Sequence, residues 1–264
     1  MLSKRLSHLY SRLKKLSLLI TKSIITEFAD SDFYPAFFEL SINEKENNPA
    51  PLEFTLADGC TVTIGGIIDR VDLYKKDSKV YVRIVDYKTG SKNFSLDDLK
   101  YGINTQMLLY LYTVCKNSSI NFISSLSDDK STTTIPAGIV YLSSNVKPIT
   151  TSNYQENDIT TSQVQDSFER SGLLLSDEEI LLAMSHSFDS KLLLGTKKLV
   201  DGRISGKALT SAEHFNEIYD QLNDVIIKIS TNLHNGVIDA KPVKSKNSPC
   251  EYCKSKPICR NVQK

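Results

Sequence analysis

Two stretches of the chain decide its fold: Gly66-Ile67-Ile68-Asp69-Arg70-Val71-Asp72 and Ile84-Val85-Asp86-Tyr87-Lys88-Thr89-Gly90. Each combines an apolar run with charged residues, and side chains two positions apart on a β-strand share one face. On the second stretch, Ile84, Asp86 and Lys88 therefore point the same way. A carboxylate and an ammonium beyond a core face are costly unless they pair, bind a metal or lie at the open end of a sheet.

Asp69 ends the neighbouring strand in a position comparable to that of Asp86. Two carboxylates at a sheet's end can hold one Mg²⁺ that keeps several of its waters. The alternative is a structural ion pair with Lys88 and one spectator acid. The Asp-x-Lys pattern recurs elsewhere, as at Asp77/Lys79, but there it lies in polar turns, helix starts or the tail. Only the copy at Asp86 closes an apolar strand beside another that ends in aspartate.

The composition indicates an ordinary globular protein of 264 residues, 40% hydrophobic and 24% charged. No apolar run approaches the roughly 20 residues needed to span a bilayer, so we expect no membrane partner. Lys14, Lys15 and Lys22 interrupt the leucines near the start, which disfavours a secretory signal. These features predict a cytoplasmic protein.

The net charge of +1 averages over opposed parts of the chain. Residues 1–25 hold six basic residues and no acid, and residues 241–264 hold seven basic residues against Glu251 alone. Such basic ends are either solvated surface or an anion-facing patch.

Three of the five cysteines, Cys250, Cys253 and Cys259, fall within the last 15 residues. In a cytosolic chain this spacing favours soft-metal ligation over disulfides. Zinc and an iron–sulfur cluster would each take four ligands, and only three thiols are local. Cys60 and Cys115 are more typical of small residues that are buried or half-buried.

The chain divides into three parts by pattern. Residues 1–30 form an amphipathic helical lead-in, whose leucine stripe we expect to pack on the core. Residues 31–240 form the main domain, with polar insertions near 116–135 and 143–168, and residues 241–264 form the basic cysteine tail.

Within the main domain we predict an entry turn at Pro35 before a short strand at 40–43, and an antiparallel meander over residues 52–88. Ser95 and Asp98 resemble a capping box. Further predictions are a strand at 137–142 and helices at 106–115, 177–185 and 211–235.

Taken in order, these motifs resemble the RecB-type branch of the PD-(D/E)XK nucleases, most closely the carboxy-terminal nuclease domain of the B subunit of bacterial AddAB helicase–nucleases. The resemblance rests on Gly66-x-x-Asp69-Arg70-Val71-Asp72, Asp86-Tyr87-Lys88, Gln106-x-x-x-Tyr110, the cysteine tail, Phe33-x-Pro35-x-x-x-Glu39 and Ala137-Gly138-Ile139-Val140-Tyr141. It implies an α/β fold with a restriction-endonuclease-like core, in which helices flank a mixed central sheet, and a C-terminal cysteine-rich tail.

The resemblance also implies roles for the site residues. Asp69 and Asp86 would be the metal-binding carboxylates, with the backbone carbonyl of Tyr87 as a further ligand. Lys88 would position the attacking water and stabilise charge on the phosphate, and Glu39 would be an auxiliary catalytic acid.

Two further roles follow from the family. Gln106 and Tyr110 would contact the DNA strand, although a helix face that packs on the sheet explains their spacing equally well. Cys250, Cys253 and Cys259 would be three ligands of a [4Fe-4S] cluster. The family's fourth cysteine and a metal-binding histidine precede this segment, so we expect the chain to be a piece of a larger protein.

The function that the resemblance implies is Mg²⁺-dependent hydrolysis of single-stranded DNA, of the 5′-ended strand, in double-strand break repair and recombination. The partners would be DNA and the helicase–nuclease A subunit. The alternatives are a DNA-binding or scaffold module with weak or no activity and a stand-alone RecB-like nuclease.

Arg70 and Asp72 are expected to be an exposed pair.

Overall fold

The computed structural model describes residues 3–45, 48–90, 93–116, 132–146, 168–239, 243 and 249–259. Its larger elements are α1 (Lys4–Ala29), β1 (Tyr34–Ile42), β2 (Leu52–Thr55), β3 (Thr61–Ile64), β4 (Gly66–Lys76), β5 (Lys79–Lys88), α2 (Gln106–Cys115), β6 (Thr133–Val146), β7 (Phe168–Leu175), α3 (Glu178–Met184) and α4 (Ala212–His234). Shorter elements are β8 (Lys197–Lys198), β9 (Ile204–Ser205), β10 (Leu209–Thr210) and 3₁₀ turns at Leu96–Tyr101 and Pro249–Tyr252.

Within the described residues, a six-stranded sheet in the order β1-β4-β5-β6-β7-β10 forms the centre of the fold. The β5/β6 and β7/β10 pairs are parallel and the other pairs are antiparallel, so the predicted mixed sheet is confirmed. The predicted meander is wrong in part, because β2 and β3 form a separate hairpin. Instead β1 pairs with β4, which buries Leu40 and Ile42.

Helix α2 covers the middle of the sheet. It packs on β5 and β6 and also contacts α4. Its side chains from Met107 to Val114 are all buried, as expected for a helix that is apolar on every side. On α4 the buried residues Ile218, Leu222 and Ile226 are spaced by four, which gives one inward face. The predicted helices at 106–115, 177–185 and 211–235 are confirmed within one residue at each end.

Helix α1 forms as predicted, but its leucine stripe does not pack on the core. Leu6, Leu9 and Leu13 are 48%, 43% and 61% exposed, and the buried residues of the helix are Ser23 and Glu27. Periodicity identifies an apolar face without identifying what covers it. The helix is instead joined to the sheet by the charged side chain of Glu27, near its C-terminal end.

Three local predictions also differ from the structure. Pro35 lies within β1 and not in a turn, which an edge strand tolerates because one side of its backbone needs no ladder partner. Ser95 precedes a 3₁₀ turn and its side chain makes no capping hydrogen bond. Strand β6 is longer than the predicted strand at 137–142, and residues 117–131 and 147–167 of the two polar insertions lie outside the described residues.

Candidate active site

Asp69 and Asp86 lie next to each other at one end of the β4/β5 pair. The last registered pair at this end is Arg70 with Val85, and one further antiparallel step brings the two aspartates level. The backbone N–H of Tyr87 donates to Asp69 Oδ2 at 2.9 Å, which fixes that carboxylate against β5. Asp86 is only 3% exposed. The two carboxylates therefore share one face at the end of the β4/β5 pairing, as the alternation of side chains predicts. The prediction that Asp69 ends its strand is wrong, because β4 runs from Gly66 to Lys76 and Asp69 lies near its start.

Lys88 extends this group. Its Nζ lies 2.6 Å from Asp86 Oδ2 and 5.7 Å from the centre of the Tyr141 ring. Tyr141 is the registered neighbour of Asp86 on β6, and burial followed by the Asp86 charge raises its pKa. Its hydroxyl thus stays neutral at physiological pH. No role for Tyr141 could be predicted from the sequence, because this residue lies within an apolar strand like any core aromatic residue.

Glu39 lies level with Asp69 but is not gathered into the same cluster. Phe38 pairs with Arg70 and Leu40 pairs with Ile68, so Glu39 faces Asp69 in the register of β1 and β4. Its side chain is exposed and its φ is +48°, a strained value for a residue with a Cβ. Among the described residues, Glu39, Asp69 and Asp86 do not form a set whose carboxylate oxygens all lie within 4.8 Å of one another.

Gln106 and Tyr110 contact each other at the start of α2. Gln106 Nε2 donates to the Tyr110 hydroxyl at 3.1 Å; Gln106 is exposed and Tyr110 is buried. A Cβ on Gly66 would lie 2.8 Å from that hydroxyl, so the tyrosine packs directly on the backbone at the start of β4. Tyr110 thus packs on the sheet while Gln106 faces solvent. Contact of either residue with DNA stays a prediction.

A buried network of charges lies on the sheet beside α1. Arg70 Nε is 2.9 Å from Asp72 Oδ1, and Arg83 Nη2 bridges Asp72 Oδ2 at 2.8 Å and Glu27 Oε1 at 2.9 Å. Arg170 Nη2 reaches Glu27 Oε2 at 2.9 Å. The prediction that Arg70 and Asp72 form an exposed pair is therefore wrong: both are fully buried. Alternation along β4 showed that they share a face but not that three other charged residues cover it.

Glu27 shows how this network balances its charges. Burial alone would raise the pKa of Glu27, but Arg170, Arg83 and Arg70 together lower it to about 2. The carboxylate is therefore ionised throughout the physiological range. Glu27 lies on α1, so this group attaches the helix to three strands of the sheet.

Tyr87 connects the network to the candidate site. Arg70 Nη1 donates to the Tyr87 hydroxyl at 2.8 Å. Because side chains alternate along a strand, Tyr87 points toward the network while Asp86 and Lys88 point toward the site. Burial raises the pKa of Tyr87 even though Arg70 opposes the shift. The strand that carries the site is thus held from its opposite face.

As described, the three tail cysteines do not surround a single metal ion. Cys250 and Cys259 are partly exposed and Cys253 is exposed. Within the described residues, their three sulfur atoms do not form a set lying within 4.8 Å of one another. Cys115 is at the end of α2 and Cys60 is beside His234. A [4Fe-4S] cluster takes four ligands, of which the tail supplies at most three.

Comparisons with known proteins agree with this geometry. Residues 4–260 match the family model of the PD-(D/E)XK nuclease superfamily. The chain is 31% identical to the B subunit of the ATP-dependent helicase/deoxyribonuclease of Clostridium acetobutylicum over 260 residues, 30% identical to that of Clostridium novyi over 259, and 29% identical to that of a Thermoanaerobacter species over 265.

These alignments cover 97–98% of this chain but only 22% of each relative. No helix within the described residues is long and apolar enough to cross a membrane. One assignment follows from the mixed sheet, from the paired aspartates followed by Lys88 and from the match along nearly the whole chain. The chain belongs to the PD-(D/E)XK nuclease superfamily.

Proposed function

We propose that the chain is a Mg²⁺-dependent nuclease domain that hydrolyses the phosphodiester bonds of single-stranded DNA. The observation that carries this proposal is the convergence of Asp69 and Asp86 beside Lys88 at one end of two paired strands. Asp69, Asp86 and the carbonyl of Tyr87 would hold the ion. All three offer oxygen ligands, which suit a hard cation such as Mg²⁺.

The metal ion and Lys88 would have different roles in the cleavage of the phosphodiester bond. A bound Mg²⁺ supplies a water of lowered pKa and polarises a phosphoryl oxygen. Lys88, whose side chain is 28% exposed, can donate to a phosphate oxygen as negative charge grows there. Its ion pair with Asp86 holds the ammonium in place. Tyr141, neutral and buried beneath Lys88, limits the movement of the lysine side chain.

The position of Glu39 suggests that it contributes only after a local change. Its strained backbone is confined to one residue of an edge strand, where few neighbours oppose a change of φ. A rotation there would move the carboxylate relative to Asp69. We therefore assign Glu39 an auxiliary role that depends on DNA or metal binding.

The DNA strand would approach past the exposed amide of Gln106. This amide lies at the start of α2, and its partner Tyr110 packs on the first residue of β4. A planar amide can donate to phosphate oxygens, a contact that positions the strand without specifying its sequence. Gln106 would then guide the strand toward the aspartates, and Tyr110 would keep Gln106 in position.

The similarity to helicase/deoxyribonuclease B subunits supports a role within a larger assembly. We propose that the domain cleaves the 5′-ended strand delivered by a helicase partner, the A subunit, in double-strand break repair and recombination in the cytoplasm. The iron–sulfur cluster stays a prediction, with Cys250, Cys253 and Cys259 as three of its ligands.

End-blocked DNA tests the proposed activity and its polarity. Internally labelled single strands would carry a bulky protein block at the 5′ end, at the 3′ end or at neither, with Mg²⁺ or with a chelator. We expect cleavage only with Mg²⁺, and inhibition by the 5′ block alone. Inhibition by the 3′ block alone would contradict the polarity. DNA binding without cleavage in Mg²⁺ would instead favour a binding module.

A further inference from the structure

Asp58, Cys60 and His234 converge at a place separate from the aspartate pair. Asp58 and Cys60 belong to the turn between β2 and β3, and His234 is the last residue of α4. His234 Nε2 lies 2.8 Å from Asp58 Oδ2 and 3.9 Å from Cys60 Sγ. Among the described residues, this is the one group of three or more such ligands whose atoms all lie within 4.8 Å of one another.

The turn places its two side chains by specific backbone contacts. Gly59 adopts a φ of +85°, which a residue with a Cβ would resist, and Leu56 N–H donates to Cys60 O at 2.8 Å to close the loop. Asp58 Oδ1 accepts from the backbone N–H of Cys60 at 3.0 Å. This bond uses one carboxylate oxygen and leaves Oδ2 directed toward His234.

We propose that Asp58, Cys60 and His234 bind one Zn²⁺ ion, which joins the β2–β3 turn to the end of α4. A thiolate, an imidazole and a carboxylate form a ligand set typical of zinc, whereas Mg²⁺ and Ca²⁺ prefer oxygen alone. Water would occupy the fourth position, because all three residues are open to solvent.

The distances suit a tetrahedral ion after a small adjustment. Zinc–ligand bonds of about 2.0–2.3 Å place neighbouring ligand atoms roughly 3.3–3.8 Å apart. The separation of 3.9 Å between Cys60 Sγ and His234 Nε2 is close to this range. The separation of 2.8 Å between Asp58 Oδ2 and Nε2 is that of a hydrogen bond, and it must widen by about half an ångström.

Binding would be coupled to the release of a proton. When the Zn–S bond forms, the thiol proton passes to solvent. His234 binds through Nε2 with its proton on Nδ1, and its hydrogen bond to Asp58 is replaced. Acid therefore competes with the metal.

Zinc titration of the whole chain tests the proposal directly. We would measure bound Zn²⁺ by competition with a chromogenic chelator in the wild type, Cys60→Ser and His234→Ala. Each variant should bind one equivalent less than the wild type. Substituting Co²⁺ should give a thiolate-to-metal absorption band whose intensity falls in Cys60→Ser. Equal stoichiometry in all three proteins would overturn the proposal.

Matched controls separate this site from the other thiols and histidines. Cys115→Ser and His214→Ala should bind as much Zn²⁺ as the wild type, because neither residue belongs to the group. The loss of one equivalent in Cys60→Ser should persist in a background where the three tail cysteines, 250, 253 and 259, are all replaced by serine. If it disappears there, Cys60 belongs to the tail and the proposed site is wrong. Metal binding is the readout, so the result is independent of nuclease activity.

Discussion

Lys88 illustrates how much one side chain depends on its strand. It follows Asp86 by two positions, forms an ion pair with it and remains partly exposed at the end of β5. Lys79, at the other end of the same strand, is exposed and follows Asp77, but it faces none of the site residues. The same short pattern is therefore chemically distinct at the two ends of β5.

Replacement of this lysine tests its proposed role. Lys88→Met keeps most of the length of the side chain and removes the charge, so we expect cleavage of single-stranded DNA to slow by roughly 10²–10³-fold, the scale for losing one group that stabilises transition-state charge. Lys79→Met should cleave at the wild-type rate. Initial rates at saturating DNA measure the effect, and equal rates for the two variants would contradict the assignment.

Gly66 is a second position where one atom decides the packing. Gly66→Ala would place a Cβ 2.8 Å from the Tyr110 hydroxyl, and we expect it to cost about 1–3 kcal/mol in the free energy of unfolding. In a Tyr110→Ala background this cost should vanish. Gly90→Ala is the control, because no atom of the described residues lies within 4 Å of its added Cβ. Urea denaturation gives all the values, and a cost that survives the loss of Tyr110 would show another cause.

At the scale of single residues, the sequence predicted the directions of side chains that alternate along a strand. Asp86 and Lys88 lie near the end of β5 and Asp69 near the start of β4, and their side-chain directions follow from the period of two. The strained φ of Glu39 and the place of Tyr141 beneath Lys88 could not be predicted, because both depend on which strands become neighbours.

Helix α1 is attached to the sheet through a carboxylate and not through its leucines. Glu27 is ion-paired with Arg70, Arg83 and Arg170, and all four side chains are nearly or fully buried. The stripe of leucines was visible in the sequence, but the surface that would cover it was not. A charged residue within an apolar period gives no signal that it will be buried among arginines from three strands.

Removing the charge of Glu27 should therefore lower the stability of the folded protein. Glu27→Gln leaves three buried guanidiniums with less negative charge, and we expect it to lower the free energy of unfolding by about 3–5 kcal/mol. Glu179→Gln is the control: its pair with Lys76 is exposed and should contribute at most about 1 kcal/mol. Chemical denaturation at neutral pH measures both, and similar small losses would contradict a structural role for the network.

The same carboxylate predicts how stability depends on pH. The pKa of Glu27 falls from 4.5 in the unfolded chain to about 2 in the folded one. Its contribution, about 3 kcal/mol, is present above pH 4.5 and is lost as the pH falls toward 2. Arg70, Arg83 and Arg170 stay charged throughout this window.

Unfolding of the wild type and of Glu27→Gln between pH 6 and pH 2.5 checks this prediction. The stability of the wild type should fall more steeply, and the two curves should approach each other in acid. Parallel curves would show that the folded and unfolded chains protonate Glu27 alike.

At the scale of the whole molecule, the local sequence pattern predicted where helices and strands occur better than it predicted which strands pair. The α/β class, the mixed sheet and the three later helices follow from periodicity and from the family resemblance. The position of the β2–β3 hairpin outside the sheet could not be predicted. Consecutive strands usually pair, but β4 pairs with β1 and not with β3. The proximity of His234 to the hairpin turn depends on that departure.

The central claim is that the paired aspartates at the end of β4 and β5 perform the cleavage. Release of labelled nucleotides from single-stranded DNA in Mg²⁺ tests it, with the wild type, Asp86→Asn and Asp77→Asn compared at equal concentration. Asp77 belongs to a polar turn with the same Asp-x-Lys pattern, so it is the matched control. We predict that the wild type and Asp77→Asn cleave alike and that Asp86→Asn is slower by about 10²-fold or more. Equal cleavage by all three proteins, or by none of them, would contradict the assignment.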